Sequence, residues 1–388
     1  MTWHCWTALA VLVVFAAGVG GMKGRKRPPA LLTVQTPTGV PQSQLLRAVT
    51  FESQRSDDRV TEIEHRSRTS PVSPSCYNHT FVASPLPGTR SSTAYILAHA
   101  DDIERRPAFV LKKAGAEYND LKRGIRAGDT VLKEKLAYDL DKDHWAGVPE
   151  TTLCTVHVVV DECSCPTPIF GSVQKFVTAA SPFASPLLSF HYKVESVHRI
   201  GLLDIRLMNL DRHPGNLLAS ADGALTPIDH GFVLPVWYQL ADVELCWTSW
   251  PQAQVPFSTA TRTYMTSLRP MDDVTDMAVQ GLAFDSIITY LLGSTLIQTV
   301  LNAGDAIVLQ DLGEYLRRPD PDTHSQLEVA IADAAGNMAD ADDTFRSCTT
   351  IDDATCRQQL DLLLSNFRDR VIVDFQMAGA EPEFVRVH

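Results

Sequence analysis

Apolar residues dominate two short runs of β type, Thr93–Ala98 and Pro107–Lys112, with the polar stretch Asp101–Arg106 between them. That pattern predicts an antiparallel hairpin. After Gly128-Asp129 a longer period sets in: Leu132, Leu136 and Leu140 recur every four residues, which predicts a helix with Asp129 as its N-cap. A β-branched run at Thr155–Val160 predicts a strand, Cys163–Pro168 a turn, and Ser172–Val177 a further strand leading into a Ser/Pro-rich loop. A helix is expected over Val194–Met208. Beyond Asp272 the chain turns helical: Phe284, Ile287, Ile288, Leu291 and Leu292 follow i, i+3, i+4, i+7, i+8 spacing, the mark of a buried helix face. Further helices are expected near Ala306–Leu316, Ser325–Met338 and Thr355–Ile372. Strands first and helices later predict an α+β, two-lobed body, and no internal repeat interrupts it.

The region ahead of this pattern has a different character. Met1–Met22 carries no Asp, Glu, Lys or Arg, and the basic run Lys23-Gly24-Arg25-Lys26-Arg27 follows at once. Positive charge after the apolar stretch, rather than before it, favours a signal anchor with the remaining chain on the cytoplasmic face of a membrane. The alternative is an upstream extension with Met22 as the true start, leaving a cytosolic protein. Residues 23–89 are rich in Pro, Ser, Thr and Arg without a sustained apolar period, so they read as a disordered arm. The sequon Asn78-His79-Thr80 lies in that arm and would take a glycan only in the opposite topology.

Composition narrows the class of partner. The 388 residues carry 34 Lys and Arg against 46 Asp and Glu, a net charge of −12 at pH 7, with 45% hydrophobic residues. Such a balance suits a folded enzyme and argues against nucleic acid, whose binding draws most of its affinity from neutralised phosphates. Eight cysteines are spread too thinly for a disulfide scaffold, so reduced, mostly buried thiols are expected. Cys163 and Cys165 form the one tight pair and have no second Cys/His pair nearby to complete a metal site. The acidic stretch from about Ala339 to Asp353 reads as a solvated linker.

The densest polar cluster is Asn209-Leu210-Asp211-Arg212-His213-Pro214-Gly215-Asn216, followed by Asp229-His230-Gly231. A solvated loop could hold the same residue types. Phosphoryl transfer, however, needs a group that orients or deprotonates the attacking hydroxyl and oxygen ligands that hold Mg²⁺ on the phosphates. Asp211 or His213, then Asn216, then Asp229 before a glycine supply those groups in order.

Val197–Asn216 and Pro227–Gly231 resemble the catalytic core of the phosphatidylinositol 3-/4-kinase superfamily, and most of all the phosphatidylinositol 4-kinase gamma family known best from plants. Trp145–Thr152, Gly171–Val177 and Trp247–Ser258 agree with that family in the same order. The resemblance runs from about Thr93 to Ala332. It implies a two-lobed protein-kinase-like fold over 90–375, with a small β-containing N-lobe at about 90–177, a mainly helical C-lobe at about 178–375, and a tail at 376–388. Asp211 would be the catalytic-loop carboxylate and His213 the alternative base or transition-state stabiliser. Asn216 and Asp229 would hold Mg²⁺, or Mn²⁺ in its place, on ATP. Lys112, rather than its neighbour Lys113, would be the strand lysine that contacts the α-phosphate, with Glu134 as the helix acid that orients it. The strand through Gln174, Phe176 and Val177 would lead into the hinge that cups adenine.

Two features depart from the family. Its ubiquitin-like modules have no counterpart in residues 23–89. Arg90-Ser91-Ser92-Thr93 stands where the family is glycine-rich; Ser91, Ser92 and Thr93 can still donate to phosphate, but the backbone cannot approach as closely. The stretch Phe232–Phe257, expected to meet the acceptor, contains no Lys or Arg but holds Trp237, Asp242, Glu244, Trp247 and Trp250. Extra phosphates on an inositide would want cationic partners there. The acceptors left are phosphatidylinositol at a membrane surface or a protein hydroxyl, and a weakly nucleotide-binding pseudokinase is the third reading.

Overall fold

The computed structural model describes residues 80–86, 94–115, 121–160, 165–178, 186–304, 306–336 and 348–380. Strands β1 (Thr80–Pro85), β2 (Ala94–His99), β3 (Phe109–Lys113), β4 (Thr151–Val159) and β5 (Thr167–Lys175) close into a barrel in the order β1-β2-β3-β5-β4. The expected hairpin is β2–β3, with Ala94 opposite Lys112 and Leu97 opposite Phe109. Alternation decides what lies inside. Phe81, Ala83, Leu97, Leu111, Cys154, Val156, Val158 and Val173 point inward and form a small apolar core. Helix α1 (Thr130–Leu140) packs against β4 and β5.

Strand β1 corrects the reading of 23–89 as an arm throughout, because its last residues pair antiparallel with β2 and parallel with β4 to close the barrel. Thr80-Phe81-Val82-Ala83 is short, and its apolar alternation is cut off by Pro85 and Pro87, so the pattern carries little weight without its partners. Asp129 does occupy the N-cap position of α1, but its side chain makes no capping hydrogen bond.

The larger core is helical. Helices α2 (Val194–Arg206), α3 (Thr259–Ser267), α4 (Val274–Val279), α5 (Phe284–Ala303), α6 (Leu309–Leu316), α7 (Gln326–Gly336) and α8 (Ala354–Ala380) enclose it. Among the described residues α5 is the helix long and apolar enough to cross a bilayer, yet most of it is buried in this core. A helix apolar on every side belongs in such an interior. Trp237, Trp247 and Trp250 are buried there too. Helix α8 continues to Ala380, past the expected end of the domain at 375. A disulfide joins Cys348 to Cys356 at its start, correcting the expectation of reduced thiols for that pair; Cys154 is free and buried. Residues 1–79, Ser91, Ser92 and Thr93, the Cys163 half of the C-x-C pair and 337–347 lie outside the described residues.

Candidate active site

Lys112 is fixed by strand pairing on both sides, opposite Ala94 of β2 and Ser172 of β5. Gly171, next to Ser172, permits that approach: a Cβ there would stand 2.0 Å from the carbonyl oxygen of Lys112. The Lys112 ammonium pairs with the buried carboxylate of Glu134 on α1 and lies 2.6 Å from Asp229 Oδ1. Burial works against the Lys112 charge, but the carboxylates of Asp229 and Glu134 overcome it and hold its pKa above the ordinary lysine range. Burial raises the pKa of Glu134, with Lys112 opposing. For Asp229 burial also pushes upward, yet Lys112 prevails and brings it to about 2, so the carboxylate is ionised. Lys113 is exposed at the end of the strand.

The polar motif follows α2. Asp204 near the end of that helix is buried and receives Arg212 through Nε and Nη2 (3.0–3.1 Å), Asn209 Nδ2 (2.8 Å) and Trp247 Nε1 (3.0 Å). Arg212 is itself wholly buried; its Nη1 donates to the carbonyls of Asn216 (2.6 Å) and Ile228 (2.7 Å). Its Nη2 lies 3.0 Å from His230 Nε2. One guanidinium therefore ties 211–216 to 228–231. Two short ladders support both segments: β6 (Asp211–Arg212) runs parallel to β9 (Glu244–Leu245), and β7 (Leu217–Ala219) pairs antiparallel with β8 (Leu225–Pro227). Asp204 and Arg212 lie within the motif stretches, but their residue types alone gave no hint that they form a buried clamp.

Within this frame Asp211 is held at the main chain by Asn209 Oδ1, which accepts its N–H at 2.9 Å, and by Asn216 Nδ2, which donates to its carbonyl at 2.8 Å. Its carboxylate lies 2.7 Å from the ammonium of Lys122, a residue that no sequence pattern singled out. His213 Nδ1 accepts from the Gly215 N–H at 3.0 Å, so that ring nitrogen is turned onto its own loop. Asp229 takes a left-handed backbone, φ 57°, which Asp tolerates better than bulkier residues. His230 beside it is buried, and burial, then Arg212, push its pKa well below the usual histidine value.

Gln174 lies near the end of β5 with its amide donating to the Thr151 hydroxyl at 2.9 Å. Phe176 and Val177 follow the strand, and the Phe176 N–H donates to the Ala108 carbonyl at 2.9 Å. Among the described residues no cluster of three or more His, Cys, Asp or Glu could hold a metal alone. Asn216 and Asp229 nevertheless fit a hard cation shared with phosphates: the Asn216 NH₂ is committed to Asp211, leaving its oxygen as the ligating atom, and Asp229 is ionised.

The family model described as phosphatidylinositol 3- and 4-kinase matches residues 100–289. Curated relatives include phosphatidylinositol 4-kinase gamma 5 of Arabidopsis thaliana, 33% identical over 66% of this chain and 44% of the relative. Phosphatidylinositol 4-kinase gamma 7 of the same plant is 36% identical over 57% of this chain and 37% of its own length. Gamma 6 is 40% identical over 39% and 28% respectively. The chain thus spans less than half the length of these relatives. Residues 100–289, just under half of the chain, include Lys112, Glu134, Asp211, Asn216 and Asp229, and over that stretch the chain carries a domain of the phosphatidylinositol 3- and 4-kinase family.

Proposed function

We propose that the chain is an ATP-dependent kinase that transfers the γ-phosphate to the 4-hydroxyl of phosphatidylinositol, on a two-lobed kinase-like fold with the barrel and α1 as the smaller lobe. The observation that carries this reading is the single ammonium of Lys112 joined to both Glu134 and Asp229. The nucleotide site of a protein kinase uses a strand lysine oriented by a helix acid beside a metal-binding aspartate. The gamma-type relatives supply the choice of acceptor.

Lys112 would contact the α-phosphate, held in aim by Glu134. Asp211, with its main chain clamped at both ends, would receive the acceptor hydroxyl and its proton. Asn216 and Asp229 would hold the divalent cation, Mg²⁺ by their oxygen ligands with Mn²⁺ as a substitute. That cation would neutralise charge on the transferring phosphoryl group. Phe176 and Val177, just past β5, would border the adenine. A lipid acceptor puts the reaction at a membrane surface, and an anchor at 1–22 would make this the cytoplasmic face and raise the local lipid concentration.

Radiolabelled phosphate transfer by the full chain with Mg-ATP and phosphatidylinositol vesicles tests the proposal, beside an Asp229→Ala control. Label in the lipid that vanishes in the control supports it. Label confined to protein moves the acceptor to a protein hydroxyl, and no label with no ATP binding leaves a scaffold.

A further inference from the structure

We propose that Lys122 is a positioning residue of the phosphoryl-transfer site, acting through the carboxylate of Asp211. The inference rests on the kinase reading above and adds a residue that lies outside the catalytic motifs. Lys122 comes from the 121–129 segment just ahead of α1, 89 positions before its partner (211 − 122). Its ammonium sits between Asp211 Oδ1 at 2.7 Å and the Leu210 carbonyl at 2.6 Å. Both side chains are largely shielded, at 29% and 21% exposure, so solvent screens the pair less than it would an ordinary surface pair.

The segment that presents Lys122 is itself built in. Gly124, at φ +80°, lies so close to Gln239 that a Cβ would meet its carbonyl oxygen at 2.4 Å. The Gly124 carbonyl accepts the Val236 N–H at 2.8 Å. Ile125 is buried, and Arg126 pairs with Asp285 of α5 at 2.5 Å. The ammonium is therefore placed by packing rather than by a free surface chain. Asn209 and Asn216 fix the main chain of Asp211 but leave its carboxylate free to rotate, and rotation is the freedom Lys122 removes. With Oδ1 engaged, Oδ2 is left to meet an acceptor hydroxyl. A donor lodged against the Leu210 carbonyl does this without leaving the loop when the acceptor arrives. Small losses of alignment at a reacting group can cost about 10²-fold in rate.

A double-mutant cycle on the full chain tests this, with Lys122→Met, Asp211→Asn and the pair, read as ADP release with Mg-ATP and phosphatidylinositol vesicles. Lys122→Met is expected to lower kcat roughly 10- to 100-fold with KM for ATP unchanged, since Lys112, Asn216 and Asp229 are intact. In the Asp211→Asn background the same change should cost less than about twofold, because the group it acts through is gone. Lys122→Arg should restore most of the rate. Thermal unfolding of each variant should shift by no more than about 3 °C. Where Met destabilises more than that, Lys122→Gln keeps a donor for Leu210 and removes only the charge. Losses that multiply in the double variant, or a change carried by KM for ATP, overturn the inference. ADP release without lipid phosphorylation defeats the lipid acceptor while the cycle still decides Lys122; a wild-type chain that releases no ADP overturns both.

Discussion

The ammonium of Lys112 lies 2.6 Å from the Asp229 carboxylate while also paired with Glu134, so one cation joins a barrel strand, helix α1 and the Asp-His-Gly turn. Lys112 thereby neutralises the aspartate proposed to hold the cation. In the proposed complex with ATP and its metal, Asp229 would turn to the metal and Lys112 to a phosphate, exchanging one set of charge partners for another.

Lys112→Met removes the common partner. It should lower kcat/KM for ATP by at least about 10²-fold, the usual cost of losing a charged donor from a transfer site. Glu134→Gln should cost less, because the lysine survives and only its aim is lost. Initial rates against ATP concentration check both; equal losses in the two variants would contradict the division of roles.

Asp204 and Arg212 are wholly buried and mutually hydrogen-bonded, with Trp247, Asn209 and two backbone carbonyls completing the set. Replacing one member leaves an uncompensated charge in a dry interior, which typically costs about 3–5 kcal/mol. Asp204→Leu is therefore expected to lower the urea midpoint strongly and to remove activity with it, although no atom of Asp204 is proposed to touch a substrate. A midpoint within error of the unmutated protein would refute the clamp.

Much of the candidate site is legible in the sequence. Asp211, His213, Asn216 and Asp229 are contiguous or nearly so, and phosphoryl transfer restricts their types and order; Lys112 and Glu134 needed the family pattern to single them out from other lysines and acids. Lys122, Asp204 and Arg212 were not legible as parts because their meaning is a pairing across the fold, and sequence spacing carries no signal for such pairs. Helices were foreseen best: Phe284, Ile287, Ile288, Leu291 and Leu292 are all buried, as a continuous 3.6 period demands. Strand β1 was missed because six residues gain their stability from pairing with β2 and β4, not from their own pattern. The Cys348–Cys356 disulfide was missed because two cysteines eight apart fit many arrangements.

Two buried histidines give the stability a sign with pH. Burial lowers the pKa of both His198 and His230 below the usual 6.5. The unfolded chain binds protons below that value which the folded chain refuses, so each histidine costs stability as pH falls through 6.5. His198 lies outside the transfer site, and its Nε2 donates to the Gln252 carbonyl at 2.9 Å, a bond that a glutamine amide can replace. His198→Gln should therefore lose less stability than the unmutated protein between pH 7.5 and 5.5, by up to about 1.4 kcal/mol. Denaturant midpoints at the two pH values measure the difference, and identical pH slopes would show that His198 does not carry it.

Gly171 offers a test of how tightly the barrel holds Lys112. An added Cβ would stand 2.0 Å from the Lys112 carbonyl oxygen, a backbone atom on the paired strand that can yield only if β3 and β5 separate. At Gly215 the crowding atoms would be those of the His213 ring, at 2.7 and 2.9 Å, and a side chain can rotate away. Gly171→Ala is thus expected to cost about 1–3 kcal/mol, as overpacking does, and to raise KM for ATP by shifting the lysine. Gly215→Ala should leave both stability and KM for ATP nearly unchanged while turning His213 out of its loop, so any fall in its kcat measures what that histidine contributes to transfer. Nucleotide titrations with the two variants side by side separate the effects, and a normal KM for ATP in Gly171→Ala would mean that the position of Lys112 is set by Glu134 and Asp229 rather than by its strand.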